Sequence, residues 1–350
     1  MIDKKYTLIQ ILRGFAAIFV MLYHATNHYN NKGFSFLSDF FKTGFLGVDI
    51  FFVLSGFVIY FSSRTYIKNK DYGSFIKKRI IRIFPSFWLF LLLPLTLIFL
   101  FFPNYISVEA AFEPLNYLKI FFLLFDHLTI SQVTWTLSFE LYFYLLFVLL
   151  IINKNFKYLI FTILILSLFN FFGVINFDSF YLKKYLFSPL LLEFFLGVLI
   201  AYLIPKINSS KSYLLVCCFI LSIALFYYSS YLETNLYIHL SKHNRVLYFG
   251  IPSFLLIFSL VLFEKFNTVN LNKKMVLIGD SSYVLYLIHS IILSFADKLI
   301  LENKFAVLNK PFTTILVCFI IIVISLFLHT FIEKPMMLKL SLFFKRKNKQ

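Results

Sequence analysis

Arg13 and His24 lie eleven residues apart in an otherwise apolar run, LRGFAAIFVMLYHA. On a helix, eleven residues at about 100° each return to the same face with a drift of about 20°, and they climb about 16 Å. One stripe therefore carries a cation near one end and an imidazole near the other. Asp49, in GVDIFFVLSGFVIYF, and Glu140, in WTLSFELYFY, are acids inside two further apolar runs. A carboxylate beside an imidazole at low dielectric fixes its tautomer and strengthens it as a base. Such a base suits the deprotonation of a hydroxyl nucleophile. Tyr286 and His289, in SYVLYLIH, are three residues apart and share a helical face. Arg79 and Arg82, in KKRIIRIFP, are likewise one turn apart, and two guanidinium forks on one face suit phosphate. Each feature also has a plainer reading. Arg13 can snorkel to headgroups, Arg79 and Arg82 can anchor to anionic lipid, and His289 can serve a hydrogen bond between helices.

Other chemistries lack their residues. Cys217, Cys218 and Cys318 sit in apolar runs without a CxxC or a histidine at ligand spacing, so neither zinc nor a disulfide framework is expected. There is no GxGxxG or P-loop pattern, and Gly44, Gly47 and Gly56 read as close-packing positions. His28, His127, His239, His243 and His329 read as surface or interfacial residues. Glu193 lies inside an apolar run with no partner that spacing assigns.

The elements that position these groups follow from composition. Of 350 residues, 60% are hydrophobic, 21% aromatic and only 14% charged. Soluble domains run about 45–50% apolar and about 25% charged. A soluble enzyme, a disordered tail and a fibrous repeat are thereby excluded. What remains is an all-α polytopic membrane bundle. A crossing needs about 20 apolar residues, and ten runs meet that length: 8–27, 44–61, 83–102, 135–152, 158–175, 185–204, 213–230, 246–263, 277–296 and 311–332. The segment 117–134 is too short in its apolar part and reads as re-entrant or interfacial, outside the membrane. The first run holds Arg13 and has no small-residue cleavage site, so it is not read as a signal peptide.

With the N-terminus inside, 22 Lys and Arg fall on the inner side and 10 on the outer. That bias predicts both termini in the cytoplasm and an even number of crossings. It also accounts for the net charge of +17 as positive-inside rather than as nucleic-acid binding. Residues 1–335 read as one transmembrane domain and 336–350 as a short basic cytoplasmic tail. Richness in Lys, Asn, Ile, Phe and Tyr suggests an AT-rich bacterial genome, hence the bacterial cytoplasmic membrane. In this topology His24, Asp49 and Glu140 share one level towards the outer side, with His289 within a turn of it. Arg13, Arg79 and Arg82 share the cytoplasmic level, where Asp280 is placed to pair with Arg13. The arrangement suits a long ligand with phosphates at the cytoplasmic mouth and its reactive end reaching inward.

The blocks RGFAAIFVMLYH, GVDIFFVLSGFVI, KKRIIRIFPSFW, WTLSFELYFY and SYVLYLIH occur in an order that resembles the acyltransferase-3 family of membrane acyltransferases. The resemblance runs from about Tyr6 to about Pro335. The Arg-x10-His stripe joined to GVDIFFVLSGF is its most specific part. It implies about ten crossings, a cytoplasmic acyl-CoA donor and an acceptor that is commonly a sugar hydroxyl on a surface glycan or its lipid-linked precursor. It also implies that Arg13 and His24 are the functional pair, Arg79 and Arg82 the basic motif, and Glu140 the polar residue after Trp135. The expected activity is O-acetyl transfer from acetyl-CoA with no metal. His24, oriented by Asp49 or Glu140, would deprotonate the acceptor or carry the acyl group. Arg13, Arg79 and Arg82 would bind the donor, and Trp135, Tyr286 and His289 the acceptor. Expected partners are acyl-CoA, the glycan or lipid-linked acceptor and membrane lipids. Some family members continue into a soluble esterase-like domain; none follows here by Gln350, which leaves room for a separate extracytoplasmic partner. Buried charges on several helices also fit a transporter of a glycan precursor or anionic metabolite. The lack of an internal repeat or paired broken helices weighs against that alternative.

Overall fold

The computed structural model describes residues 6–30, 41–101, 113–124, 133–175, 185–208, 212–235, 244–269, 271–301 and 310–347. Every regular element among these residues is a helix. Backbone polar groups in hydrocarbon must be satisfied within their own segment, which a helix does and an open strand does not. Seven of the described helices are long and apolar enough to cross a membrane, or eight if the broken pair Lys273–Asp280 and Ser282–Ala296 counts as one. Two of the expected crossings are shorter: Phe156–Phe171 has 16 residues and Leu191–Leu203 has 13. These rise about 24 and 20 Å against a hydrocarbon core of about 30 Å.

Three differences from the sequence expectation bear on function. The run expected as 83–102 begins earlier, so Tyr72–Phe101 is one long helix that includes the basic motif. It is interrupted by a π-helical stretch at Trp88–Leu92. The run expected as 277–296 is two helices, Lys273–Asp280 and Ser282–Leu301, meeting at Ser281. A depth counted along one straight helix to His289 therefore does not hold. The last run continues past residue 332 as Lys310–Leu328, a π-turn at His329–Glu333, and Lys334–Lys347. Residues 336–347 of the stretch assigned to a cytoplasmic tail thus extend that helix, and 348–350 lie outside the described residues. Of the segment read as re-entrant, Pro114–Phe121 is a short helix whose Phe121 ring stacks on Trp88 at 4.6 Å and whose Phe121 carbonyl accepts the indole N–H at 3.0 Å. Residues 125–132 lie outside the described residues.

The chain forms two compact units. The first comprises residues 1–16, 45–75 and 139–279. Its core is Leu46–Asn69 packed against Leu191–Leu203. Small residues set that crossing: a Cβ on Gly56 would come within 1.9 Å of the Phe194 carbonyl oxygen, and one on Gly197 within 1.9 Å of the Val53 carbonyl oxygen. Without a hydrophobic force between helices in lipid, such close backbone approach is the main source of packing energy. Glu264 accepts hydrogen bonds from the backbone N–H groups of Thr7 and Leu8. It thereby satisfies the start of helix Thr7–Asn30, where a carboxylate also meets the positive end of the helix dipole. At the other polarity, Lys265 donates to the carbonyls of Ile204 and Ile207 at 2.8 and 2.6 Å, and Arg64 donates to that of Ala201.

The second unit comprises residues 17–44, 76–138 and 280–350. Two contacts fix Tyr72–Phe101 and the final helix as antiparallel neighbours within it. Lys77 Nζ donates to the Phe344 carbonyl at 3.1 Å, and Ser86 Oγ donates to Glu333 Oε1 at 3.0 Å. Large apolar side chains are exposed in each unit, such as Phe161 and Tyr227 in the first and Phe319 in the second, as a lipid solvent permits.

Candidate active site

Helix Thr7–Asn30 is continuous, so Arg13 and His24 do lie on one helix. Arg13 is half-buried and its guanidinium reaches Gln10 Oε1 at 3.5 Å. His24 is half-buried, with the Tyr23 ring edge-on at 5.1 Å. On the second unit, the His289 ring stacks against His24 with centroids 5.4 Å apart and planes at 30°. The structure thus brings together two imidazoles that sequence placed only at neighbouring depths.

His289 is fully buried. Its Nδ1 lies 3.2 Å from the Leu285 carbonyl oxygen, one turn earlier on the same helix. A carbonyl only accepts, so Nδ1 carries a proton, and full burial without a counter-charge favours the uncharged ring, whose lone pair is on Nε2. That Nε2 has no hydrogen-bond partner among the described residues. A buried acceptor without a partner is uncommon, and it offers a place for a donor such as a hydroxyl or a water. Tyr286 is packed 5.7 Å from His289, ring to ring, as their three-residue spacing predicts. The Tyr286 hydroxyl is 2.7 Å from Thr136 Oγ1 and 3.4 Å from the Val133 carbonyl, and Thr136 donates to the same carbonyl at 2.9 Å. This network ties the histidine helix to the start of Thr134–Ile152, beside half-buried Trp135. The result is a half-open imidazole backed by a buried, neutral one, and fixed aromatic and hydroxyl neighbours around them.

The acids have other partners. Both oxygens of Asp49 are held by Arg245, at 2.6 Å from Nε to Oδ1 and 2.8 Å from NH2 to Oδ2. Arg245 also donates to the Phe45 carbonyl at 3.0 Å, and its guanidinium lies 4.9 Å from the Phe45 ring centre. Fully buried Glu193 faces the same pair, with its side chain against Gly250, where a Cβ would meet it at 3.0 Å. Of the two acids expected to orient His24, Asp49 has its carboxylate held in a two-pronged ion pair with Arg245 in the first unit. Glu140 is half-buried and accepts a hydrogen bond from the Tyr144 hydroxyl one turn along. Arg245 was missed because it reads as one of the outer-side cations. Its signal is an arginine at the outer edge of a crossing, where positive-inside bias gives no reason for one.

Arg79 and Arg82 sit on helix Tyr72–Phe87, so their three-residue spacing does place them on one face. Arg79 is buried and Arg82 half-buried. Seven residues after Arg79 on nearly the same face comes Ser86, which is bonded to Glu333. Among the described residues no group of three or more metal-ligating side chains occurs.

Helices of this apolarity, holding an Arg-x10-His stripe, paired imidazoles and a helical Arg-x2-Arg motif, define a multi-pass membrane domain. A family model described as an acyltransferase domain matches residues 7–330, and the chain belongs to the acyltransferase-3 family. It is 29% identical over 330 residues to the O-acetyltransferase OatA of Staphylococcus aureus in strains NCTC 8325 / PS 47, COL and MRSA252. The aligned stretch is 85% of this chain and 52% of each relative, so the chain spans about half the length of the curated relatives it matches. No solved structure matches it.

Proposed function

We propose that this protein is an integral-membrane O-acyltransferase that moves an acetyl group from cytoplasmic acetyl-CoA to a hydroxyl of a cell-surface polysaccharide, its lipid-linked precursor or another glycan. The observation that carries the reading is the half-open His24 stacked on buried, neutral His289, in a chain whose relatives are named O-acetyltransferases. Arg79 and Arg82 hold the donor phosphates with their planar forks. Arg13, the other member of the Arg-x10-His stripe, is assigned to the same donor. His24 takes the acceptor hydroxyl proton or the acyl group itself. Trp135, Tyr286 and His289 shape the acceptor side, and Glu140 serves as a polar support. Ten crossings with both termini inside would put the donor motif at the cytoplasmic face and His24 nearer the outer one.

The test is incubation of purified protein with labelled acetyl-CoA, with and without cell-envelope glycan. Glycan-dependent label transfer with release of CoA thiol is the expected result. Label bound or moved across a vesicle without ester formation would assign the protein to transport instead. A reporter fused after Asn155 is expected to read cytoplasmic; an external reading would overturn the depth assignment.

A further inference from the structure

The end of the last crossing carries a second imidazole site that sequence gave no role. His329 Nδ1 lies 2.6 Å from Glu333 Oε2, and Ser86 Oγ donates to Glu333 Oε1 at 3.0 Å. Both carboxylate oxygens are thus used, one to hold the ring and one to be held. Ser86 is fully buried, and the His329 and Glu333 side chains are 13% and 8% exposed. With Nδ1 donating to a carboxylate, Nε2 is the nitrogen left to exchange a proton. The two residues are the ends of a π-turn, in which the Lys334 N–H reaches back to the His329 carbonyl. π-turns are rare and concentrate at functional sites. The facing helix has its own at Trp88–Leu92.

Position says what the dyad serves. Lys77 meets Phe344 and Ser86 meets Glu333, so the two helices run antiparallel and His329 stands opposite residues near Leu91. At about 1.5 Å per residue, that is about 18 Å along the axis from Arg79 and about 14 Å from Arg82. The arm joining the pyrophosphate of coenzyme A to its sulfur has about a dozen bonds, on the order of 15 Å when extended. A donor whose phosphates sit on the two arginines therefore brings its thioester to the level of His329.

We infer that His329, held by Glu333 and Ser86, is the acid that protonates the departing thiolate of the acyl-CoA donor. As the nucleophile attacks the carbonyl carbon, the C–S bond breaks and its electron pair goes to sulfur. The imidazolium Nε2–H then supplies the proton, giving CoA thiol and neutral His329. The acceptor hydroxyl gives its proton to His24, which releases it to solvent, and His329 takes one proton from solvent, so the cycle closes with no net proton gained or lost. The sum is thioester plus alcohol giving ester plus thiol.

The inference rests on the acyltransferase reading, and one experiment separates the two. Purified full-length protein is assayed for CoA thiol release from acetyl-CoA with cell-envelope glycan present, yielding kcat and the KM for acetyl-CoA. His329→Gln is expected to lower kcat by about 10²–10⁴-fold, with KM within about twofold of the parent and the thermal transition kept. Glu333→Gln should fall in the same direction, and the double variant no further than His329→Gln, because groups that act as a unit are non-additive. If His329→Gln does not fold, His329→Asn and Glu333→Asp carry the same expectation. Retained kcat, a loss confined to KM, or losses that multiply in the double variant would overturn the assignment. A parent protein that releases no thiol at all would overturn the acyltransferase reading itself.

Discussion

The Asp49–Arg245 pair and the His24–His289 pair meet burial in opposite ways. Asp49 is fully buried and every oxygen it has is spent on one guanidinium, with Glu193 pressed against the same group. An ionised carboxylate in a low-dielectric interior must be paired or it costs several kcal/mol. Neutral imidazole carries no such charge, so His289 can be buried with one nitrogen bonded and the other unpartnered among the described residues. The first pair satisfies its own charges, whereas the second leaves the His289 Nε2 without a partner among the described residues.

The largest effect should fall on the imidazole side. His24→Ala is expected to abolish acetyl transfer, a loss of about 10²–10⁴-fold, while the protein still inserts and melts near the parent temperature. A stability loss with unchanged activity per folded molecule would reverse the comparison. On the carboxylate side the sign of the readout changes. Arg245→Ala strands the buried Asp49 charge and should destabilise the fold by about 3–5 kcal/mol, seen as a lowered thermal midpoint in detergent. Asp49→Asn should be milder, since it removes the charge that needs the partner. A variant of either residue that keeps its midpoint but loses turnover would give Asp49 the catalytic role expected of it from sequence.

The donor motif should respond in affinity. Arg79→Ala is expected to raise the KM for acetyl-CoA by about tenfold or more while leaving that for the acceptor alone, and Arg79→Lys to recover only part, because a point charge lacks the planar fork. Unchanged donor KM in both Arg79→Ala and Arg82→Ala would leave the motif with anionic lipid. Smallest is the change at the edge of the imidazole pair. Tyr286→Phe removes one hydroxyl from the Thr136 and Val133 network, worth about 1 kcal/mol, and should cost a few-fold in rate through looser placement of His289.

Local spacing made the helix faces legible in the sequence. The Arg13–His24 stripe, the Arg79–Arg82 turn and the Tyr286–His289 face each depend on a single helix, and each is found on one. What the sequence could not show needs two helices at once. Asp49 and Arg245 are 196 residues apart, and Ser86 and Glu333 are 247 apart, so neither pairing leaves a periodic trace. The π-turns and the break at Ser281 were also hidden, because a run of apolar residues reads alike whether its helix is regular, widened or interrupted. His329 was passed over for the same reason. Its lone position on an apolar run gives no sign of the glutamate and serine that hold it.

We propose that the His24–His289 pair does the chemistry and the Asp49–Arg245 pair holds the fold. The most direct test is the rate of acetyl transfer from labelled acetyl-CoA to cell-envelope glycan, per folded molecule, in His24→Gln beside Asp49→Asn. Glutamine keeps a polar side chain of similar reach but cannot take a proton near neutral pH. His24→Gln is expected to be inactive with a near-parental melting temperature, and Asp49→Asn to melt lower yet transfer label at close to the parental rate. An active His24→Gln protein, or a stable but inactive Asp49→Asn protein, would contradict it.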